Sequence, residues 1–447
     1  MIALAQALLV VTVSLIRFRT AITLFFVFSA FAPRSLGLLL GGGDFSLTFP
    51  RIAIPLVFVI YLASYISRKG YNIMKMSDAM MNGSFILIVV IGIYKIVATA
   101  VNDVNLLYAI ESLIFTSVPF ILLYLSSTRQ LFNGVVSAFV LSCVIISVIV
   151  IVENIAKYPL HFYVANPVIF NTEIQSLVQT NRGYRVQAIF DNPLSLSEYL
   201  LYALPILFYA AITRHRNAKL FAFLSLAGLC VTGLMTGSRG FLIFGIGTSV
   251  AYLVFYNWRL FSKSSKIILL VSSAPIFLFS TVGAAMALMQ KIEQSIGVVF
   301  YLISDATERS TASRALQYYE VFIMVKERPI FGYGVLQNFS NQLDQIHRID
   351  SFYLRSALES GVPGFLLFLL FLLITWMAIL SGNKMDNSKE NRAFFAMSLS
   401  LLVAFMGAKF YLSMPTNNYI FYALLGLVLG RKRRMDLLKI NAHPPHP

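Results

Sequence analysis

Charged residues are scarce in this sequence. Only 12% of its 447 residues are Asp, Glu, Lys or Arg, against about 25% in an ordinary water-soluble domain. Because 58% of the residues are apolar, a soluble fold of this size would leave a large hydrophobic surface in contact with water. The same hydrophobicity excludes a disordered chain. A soluble enzyme is therefore excluded, and the composition indicates a membrane protein.

Cysteine is nearly absent as well. Cys143 and Cys230 both lie inside apolar runs, which predicts packing residues and not a disulfide. The five histidines are scattered, and the sequence has no Cys/His spacing typical of a zinc site. We therefore expect neither a metal ion nor a cofactor.

Long apolar runs predict an all-α polytopic membrane protein with about 12 transmembrane helices, since one spanning helix requires about 20 apolar residues. Segment 2–16 is apolar but short. It either crosses the membrane as a thirteenth helix or lies in the interface, and it makes a poor signal peptide because Arg17 and Arg19 follow it. The predicted spans are 20–40, 50–67, 80–99, 104–126, 131–152, 195–213, 218–235, 240–257, 267–288, 352–380, 393–412 and 416–430.

Basic residues are concentrated in one alternating set of loops. These loops hold 20 of the 35 Lys and Arg but only 4 of the 19 Asp and Glu, which accounts for the whole net charge of +16. Short basic loops face the cytoplasm, so the run RKRR at 431–434 is expected to be a cytoplasmic anchor beside anionic lipid. We expect no nucleic-acid partner. The loops are 17–19, 67–79, 127–130, 214–219, 258–266, 381–392 and 431–447.

The opposite face carries two long loops, and loops of this length usually have a function. In the second loop, Ser313 is predicted to cap a helix at 314–327 that Pro329 ends, with a turn at 331–334. The chain then divides into N-terminal transmembrane helices (1–152), a first outer loop (153–194), central helices (195–288), a large outer loop expected to cover the active site (289–351), C-terminal helices (352–430) and a basic tail (431–447).

Arg239 is the strongest candidate for a functional residue. The stretch TGSRG at 236–240 is the only break between two apolar runs, so the turn is tight and the guanidinium lies at the membrane boundary. An arginine in hydrocarbon costs about 2.5–3.5 kcal/mol, so it requires a partner, and a phosphate or diphosphate accepts two parallel bonds from it. The glycines allow close approach, and adjacent amides are expected to form an anion nest. The alternative is an arginine that snorkels to ordinary lipid phosphate.

Three further arginines occur on or near the same outer face. Arg182 and Arg185 precede a predicted helix start at Pro193, where Asp191 or Asn192 can cap. Arg314 begins the predicted loop helix. The alternatives are solvated side chains for Arg182 and Arg185, and a surface salt bridge for Arg314.

His347 and Asp350 lie directly before a long span, and either can take a proton from an attacking hydroxyl. The alternatives are a solvated histidine and a helix cap. Glu359 lies two to three turns into that span, where an acid is expected to pair with an arginine or to hydrogen-bond to the chain in a supporting role. A proton path or simple snorkelling remains open for the other charged residues near helix ends or inside spans, which are Lys95, Glu111, Glu153, Glu198 and Lys409.

Over residues 180–365, the order and spacing of these motifs resemble the bacterial O-antigen ligase and O-antigen polymerase superfamily, which includes exopolysaccharide polymerases. The N-terminal half is similar only in its hydrophobic layout. The motifs are RVQAIFDNP at 185–193, TGSRG at 236–240, Arg314, PIFGYG at 329–334, DSFYL at 350–354 and ESG at 359–361.

The resemblance implies a multi-pass glycosyltransferase of the bacterial plasma (inner) membrane, with a periplasmic active site, a cytoplasmic C-terminus, no metal and no nucleotide sugar. Its substrate is an undecaprenyl-diphosphate-linked oligosaccharide, whose diphosphate is held by Arg185, Arg239 and Arg314. Ligases of the superfamily typically have a histidine at the position of Asp350, so this departure favours a polymerase of O-antigen or exopolysaccharide, with a chain-length regulator and a flippase as partners. The alternatives are an O-antigen ligase that transfers the glycan to lipid A core or protein, and a flippase of lipid-linked oligosaccharides.

Overall fold

A computed structural model provides the structure of the chain. It describes residues 2–31, 38–40, 45–66, 82–159, 184–190, 192–258, 306–335, 349, 351–381, 388–411 and 417–442. The predicted span at 267–288 lies outside these residues.

The described residues are helical apart from one small hairpin and short connections. The helices are α1 (Ile2–Ile16), α2 (Phe18–Ser29), α3 (Phe49–Ile66), α4 (Gly83–Val101), α5 (Leu106–Phe115), α6 (Ser117–Ser126), α7 (Arg129–Ala156), α8 (Pro193–Thr213), α9 (Arg216–Met235), α10 (Arg239–Tyr256), α11 (Ala306–Glu327), α12 (Phe352–Leu380), α13 (Lys389–Tyr411) and α14 (Asn418–Ala442).

Within the described ranges, eight segments are long and apolar enough to cross a membrane. Seven of them are the single helices α4, α7, α8, α9, α10, α12 and α13, and the eighth combines α5 with α6. The chain is thus a multi-pass helical membrane protein. The predicted spans at 20–40, 50–67 and 416–430 fall on helices that are not among these eight. The apolar helices at 18–29 and 49–64 are shorter, and α14 continues from a short apolar stretch into the basic run. α1 belongs to the same group of shorter apolar helices.

A two-stranded hairpin is an exception to the all-α prediction. β1 (Leu38–Leu40) pairs antiparallel with β2 (Phe45–Leu47). In the predicted span at 20–40, the helix therefore ends at Ser29. The physical reason is in the sequence, where Pro33 and the glycines at 41–43 disfavour a continuous helix.

The centre of the bundle is formed by α8 and α13. In each of these helices 83% of the apolar window is buried by protein, against 28% in α9 and α10. α9 and α10 therefore present their leucines, phenylalanines and isoleucines to lipid, whereas α8 and α13 lie among other helices. Charged side chains on α8 and α13 consequently require partners within the protein.

At one end of the bundle, basic residues are held by protein groups. Glu390 accepts hydrogen bonds from Arg129 at 2.6 Å and from Arg431 at 2.9 Å. Arg431 is buried, and its guanidinium carbon lies 4.2 Å from the ring centroid of Phe132. α14 continues through the basic run, so the first arginine of that run packs against protein and not against lipid headgroups.

The outer-loop helix is longer than predicted. α11 begins at Ala306, and the expected start near Arg314 with a Ser313 cap is wrong. The additional turns contain Ala306 and Ala312, which favour helix, and no glycine or proline. The predicted end at 327 and the turn at 331–334 are confirmed.

The motif PIFGYG at 329–334 inserts into a break in α12. Gly361 interrupts that helix with a φ of 64°, which exposes backbone groups on both sides of it. The amide of Val362 donates to the carbonyl of Pro329 at 2.8 Å, and the amide of Tyr333 donates to the carbonyl of Leu358 at 2.9 Å. We call this arrangement the clasp (residues 329–334 with 358–362). It joins the C-terminal end of α11 to α12.

Side chains of α4 strengthen the clasp. The hydroxyl of Tyr94 donates to the carbonyl of Ile330, and its ring stacks on Phe331 with centroids 6.0 Å apart. Thr99 accepts from the amide of Val335 at 3.1 Å. Burial and a hydrogen bond from its hydroxyl to Glu327 raise the pKa of Tyr333 to about 12, so this phenol stays protonated and acts as a donor.

Replacing Gly332 by alanine should open the clasp. A Cβ at this position would lie 2.3 Å from the carbonyl oxygen of Leu358 and 2.6 Å from the amide nitrogen of Gly361, and Gly332 has a φ of +59°. We expect a destabilisation of roughly 3 kcal/mol, because both backbones must move. Denaturant unfolding and limited proteolysis near 328–334 measure the change. The control is Gly247→Ala on α10, where a Cβ would meet nothing within 4 Å. Equal stability of the two variants would contradict the close packing of residues 329–334 against 358–362.

Candidate active site

Arg185 lies directly against the turn between α9 and α10. Its Nε donates to the carbonyl of Thr236 at 2.7 Å, and the amide of Val186 donates to the carbonyl of Met235 at 3.3 Å. A Cβ on Gly237 would lie 3.3 Å from the Arg185 Nε. The segment 184–188 therefore runs along this turn, and two motifs that are about 50 residues apart in the sequence form one surface.

The turn itself is built to present Arg239. Thr236 ends α9 in a helical conformation, Gly237 adopts a φ of +60°, and Ser238 caps α10 by accepting from the amide of Phe241 at 3.2 Å. Arg239 is then the first residue of α10, and it is exposed. Within the described part of the chain, no carboxylate forms an ion pair with it.

Two amides of this turn are bonded within the turn itself. The amide of Gly237 donates to the carbonyl of Leu234 at 3.0 Å, and the amide of Ser238 donates to the Thr236 hydroxyl at 3.3 Å. These two amides are therefore not available to an anion, and the expected nest is limited to the amides that begin α10, beside the arginine side chains.

Glu153, near the end of α7, fixes the segment that carries Arg185. The carboxylate is fully buried and accepts from the amides of Gln187 and Ala188 at 2.9 Å and 2.6 Å. It also accepts from the hydroxyl of Tyr184 at 2.8 Å. Burial and this bond raise the pKa of Tyr184, so the phenol remains a donor.

These contacts hold Ala188 at a φ of +52°, a conformation that alanine rarely adopts. The sequence left Glu153 open as a proton-path or snorkelling residue. An acid at the end of a long apolar run was the available signal, but its backbone partners lie more than 30 residues away in the sequence.

The start of α8 packs against the same turn. Asn192 accepts from the amide of Ser195 at 2.8 Å, and Pro193 occupies the first turn, which confirms the predicted helix start with Asn192 as its cap. The hydroxyls of Ser197 and Thr236 are 3.0 Å apart. The Arg185 segment, the turn and the start of α8 thus meet at one end of the bundle, which we call the site end.

The next residue of α8, Glu198, forms a buried ion pair with Lys409 of α13, and both side chains are fully buried. The hydroxyl of Tyr202 donates to Glu198 at 2.6 Å, and Asn417 donates to its second oxygen at 3.3 Å. The Lys409 ammonium lies 5.3 Å from the ring centroid of Phe352, the first residue of α12. Snorkelling is therefore wrong for Lys409, because its partners lie within the protein.

Glu359 pairs with an arginine, as expected from the cost of an isolated acid in a span. The Arg355 Nε donates to Glu359 at 2.7 Å, and the Lys95 ammonium lies 3.7 Å from the other carboxylate oxygen. Because Glu359 immediately precedes the break at Gly361, this ion pair fixes the N-terminal part of α12 next to the clasp.

Several predicted site residues are not placed. Arg182, Asp191, His347 and Asp350 lie outside the described residues. For Arg314 the structure describes only its position in α11. Of the predicted set, Arg185, Arg239 and Glu359 are described with their side chains. Among the described residues, no group of three or more His, Cys, Asp or Glu is suited to a metal ion.

A known family covers the turn and the clasp. Residues 220–369, about a third of the chain, match the family model described as O-antigen ligase. The predicted superfamily is confirmed. The match includes the TGSRG turn, α11, the clasp and the start of α12, while Arg185 and Glu153 lie outside it. No curated protein matches the chain. The superfamily indicates an enzyme of the glycosyltransferase-like ligase or polymerase type.

Changing Glu153 to glutamine should loosen the Arg185 segment. A glutamine side chain offers one acceptor oxygen, so one of two buried amides loses its partner, at a cost of about 1–3 kcal/mol. We expect faster hydrogen exchange of the amides of Gln187 and Ala188. Glu111→Gln, which removes the carboxylate paired with Arg51, is the control for general destabilisation; unchanged exchange in Glu153→Gln would contradict the positioning of the segment by Glu153.

Changing Gly237 to alanine tests the contact between the turn and Arg185 without altering charge. The left-handed φ costs alanine about 1 kcal/mol, and the new Cβ would press on the Arg185 side chain. We expect about 1–2 kcal/mol lower stability in denaturant unfolding, together with loss of enzyme activity. Gly247→Ala is again the control, and a fully active Gly237→Ala enzyme would show that this contact is dispensable.

Proposed function

We propose that this protein polymerises undecaprenyl-diphosphate-linked oligosaccharide repeat units into O-antigen or exopolysaccharide at the outer face of the bacterial inner membrane. The observation that carries the proposal is the contact between Arg185 and the turn that presents Arg239. One arginine presented by a turn and a second packed against that turn, at the end of a membrane bundle, suit a lipid-linked diphosphate, which carries its charge where the apolar tail ends.

The rigidity of the arrangement supports this proposal. Arg185 is fixed by the Thr236 carbonyl, and its backbone segment is fixed by Glu153. A guanidinium that is already oriented needs little reorganisation when charge develops on a leaving group, and such preorganised donors contribute most to this kind of catalysis. Snorkelling to bulk lipid would not require a buried carboxylate to hold the segment.

The proposed reaction is a glycosyl transfer. A hydroxyl oxygen of the acceptor sugar attacks C1 of the donor sugar, the bond from C1 to the phosphate oxygen breaks, and the lipid diphosphate leaves with the electron pair. Asp350 or His347 takes the hydroxyl proton. Arg185, Arg239 and Arg314 stabilise the negative charge on the leaving diphosphate. The loop 289–351 covers the site and excludes water, which prevents competing hydrolysis.

The identity of the acceptor separates the two candidate activities. The family model carries the description O-antigen ligase, which favours transfer of the glycan to lipid A core or protein as the second candidate. The aspartate at 350, where ligases of the superfamily typically have histidine, favours polymerisation. In a polymerase the acceptor is a second lipid-linked repeat unit, so the proposed partners are a flippase that supplies it and a regulator of chain length.

Replacing Arg239 or Arg185 by alanine should reduce polymerisation by a factor of about 100 or more, since each cation contributes a few kcal/mol to the departure of the diphosphate. The measurement uses purified protein in lipid nanodiscs with a synthetic polyprenyl-diphosphate repeat unit. Arg129→Ala removes a 71% exposed arginine at the opposite end of the bundle and is the control. Wild-type rates in both site variants would refute the diphosphate assignment.

The same assay decides between the candidate activities. Longer chains formed from the lipid-linked unit alone indicate a polymerase. Product that appears only after lipid A core is added indicates a ligase. Translocation of the lipid-linked unit without release of diphosphate would refute both and indicate a flippase.

A further inference from the structure

The N-terminus of α12 lies at the site end and has an unusual cap. Ser351 occupies the cap position but makes no capping hydrogen bond, and among the described residues its buried hydroxyl oxygen has no hydrogen-bond partner. The residue is only 4% exposed. A buried hydroxyl without a partner is costly in a protein interior.

A serine at the cap position normally satisfies an amide of the first turn. Ser238, at the start of α10, does so by accepting from the amide of Phe241 at 3.2 Å. The Ser351 hydroxyl does not, so it is available as a donor beside the amides of the first turn. The helix end supplies partial positive charge to the same place, and a phosphoryl oxygen is the kind of group that such an end binds.

Two cations reinforce this character. Arg355 lies one turn into the helix, where its amide closes the first backbone bond to the carbonyl of Ser351 at 3.1 Å. Lys409 is the second cation, and its ammonium lies 5.3 Å from the ring centroid of Phe352. The first turn contains no acidic residue. Both cations are paired within the protein, Arg355 with Glu359 and Lys409 with Glu198, and of the two only Arg355 is partly exposed.

This helix end is connected to the turn that holds Arg239. Lys409, beside Phe352, pairs with Glu198, and the preceding residue of α8, Ser197, contacts Thr236. The helix end and the Arg239 turn thus lie at the same end of the bundle and are linked through α8 and α13.

We propose that the N-terminus of α12 is a second anion site, in which the Ser351 hydroxyl, the first-turn amides and Arg355 bind a phosphoryl group. This inference rests on the proposed function and deepens it. The phosphoryl group has two sources, either the donor diphosphate that also contacts Arg239, or the diphosphate of a second lipid-linked chain that serves as the acceptor.

Equilibrium binding of farnesyl diphosphate to the full-length protein in nanodiscs tests this site. Ser351→Ala should weaken the binding roughly tenfold, as is typical for loss of a hydrogen bond to a charged group. The control is Ser400→Ala, which removes another buried hydroxyl without a partner, in the middle of α13. If Ser351→Ala binds as tightly as the wild type, or if the wild type shows no saturable binding, the proposal is overturned.

Arg355 is tested in parallel by two substitutions. Arg355→Lys keeps a cation beside Glu359 and should bind within about threefold of the wild type. Arg355→Gln should bind at least tenfold more weakly. Because Arg355→Gln also leaves Glu359 with one fewer partner, its unfolding curve is compared with that of Arg355→Lys. If a folded Arg355→Gln protein binds as tightly as the wild type, Arg355 does not contribute to the site.

The binding stoichiometry distinguishes the two sources. One ligand per protein, weakened by both Ser351→Ala and Arg239→Ala, indicates a single diphosphate that spans both surfaces. Two ligands, of which Arg239→Ala removes one and Ser351→Ala the other, indicate a second chain. An effect of Ser351→Ala without an effect of Arg239→Ala would refute the diphosphate assignment at the turn and leave the α12 site standing. The reverse result would refute only the α12 site.

Discussion

A carboxylate inside an apolar bundle is stable only when donors surround it, and this requirement organises the site end. Glu153 is satisfied by two backbone amides and a phenol, Glu198 by an ammonium, a phenol and an amide, and Glu359 by a guanidinium and an ammonium. Each carboxylate draws together segments that are distant in the sequence. These buried acids therefore fix the segments that surround the exposed Arg239.

Local features were predictable where neighbouring residues determine them. The start of α8 follows from Asn192 and Pro193, the end of α11 follows from Pro329, and the exposure of Arg239 follows from a short polar break between apolar runs. The motif spacing also predicted the superfamily, and the matched range contains the turn and the clasp, where glycines adopt positive φ.

Features that depend on distant partners were not predictable. In the sequence, Glu153 is not distinguished from other acids near helix ends, because its amide partners lie more than 30 residues away. The break at Gly361 becomes understandable only beside the carbonyls of residues 329 and 330, which leave no space for a side chain. The sequence likewise does not reveal that the amides of Gly237 and Ser238 are bonded within the turn. Hydropathy alone also failed to predict the hairpin whose first strand ends the first predicted span.

The ion pair between α8 and α13 has a consequence for biogenesis. The acid at 198 is synthesised and inserted some 200 residues before its lysine partner emerges from the ribosome. During that interval the membrane must accommodate an uncompensated carboxyl group, which is costly in hydrocarbon. Lys409 lies in the last turn of α13, so the ion pair forms only after nearly the whole chain has been inserted, and a chain that stops before this turn leaves Glu198 without its lysine in the membrane.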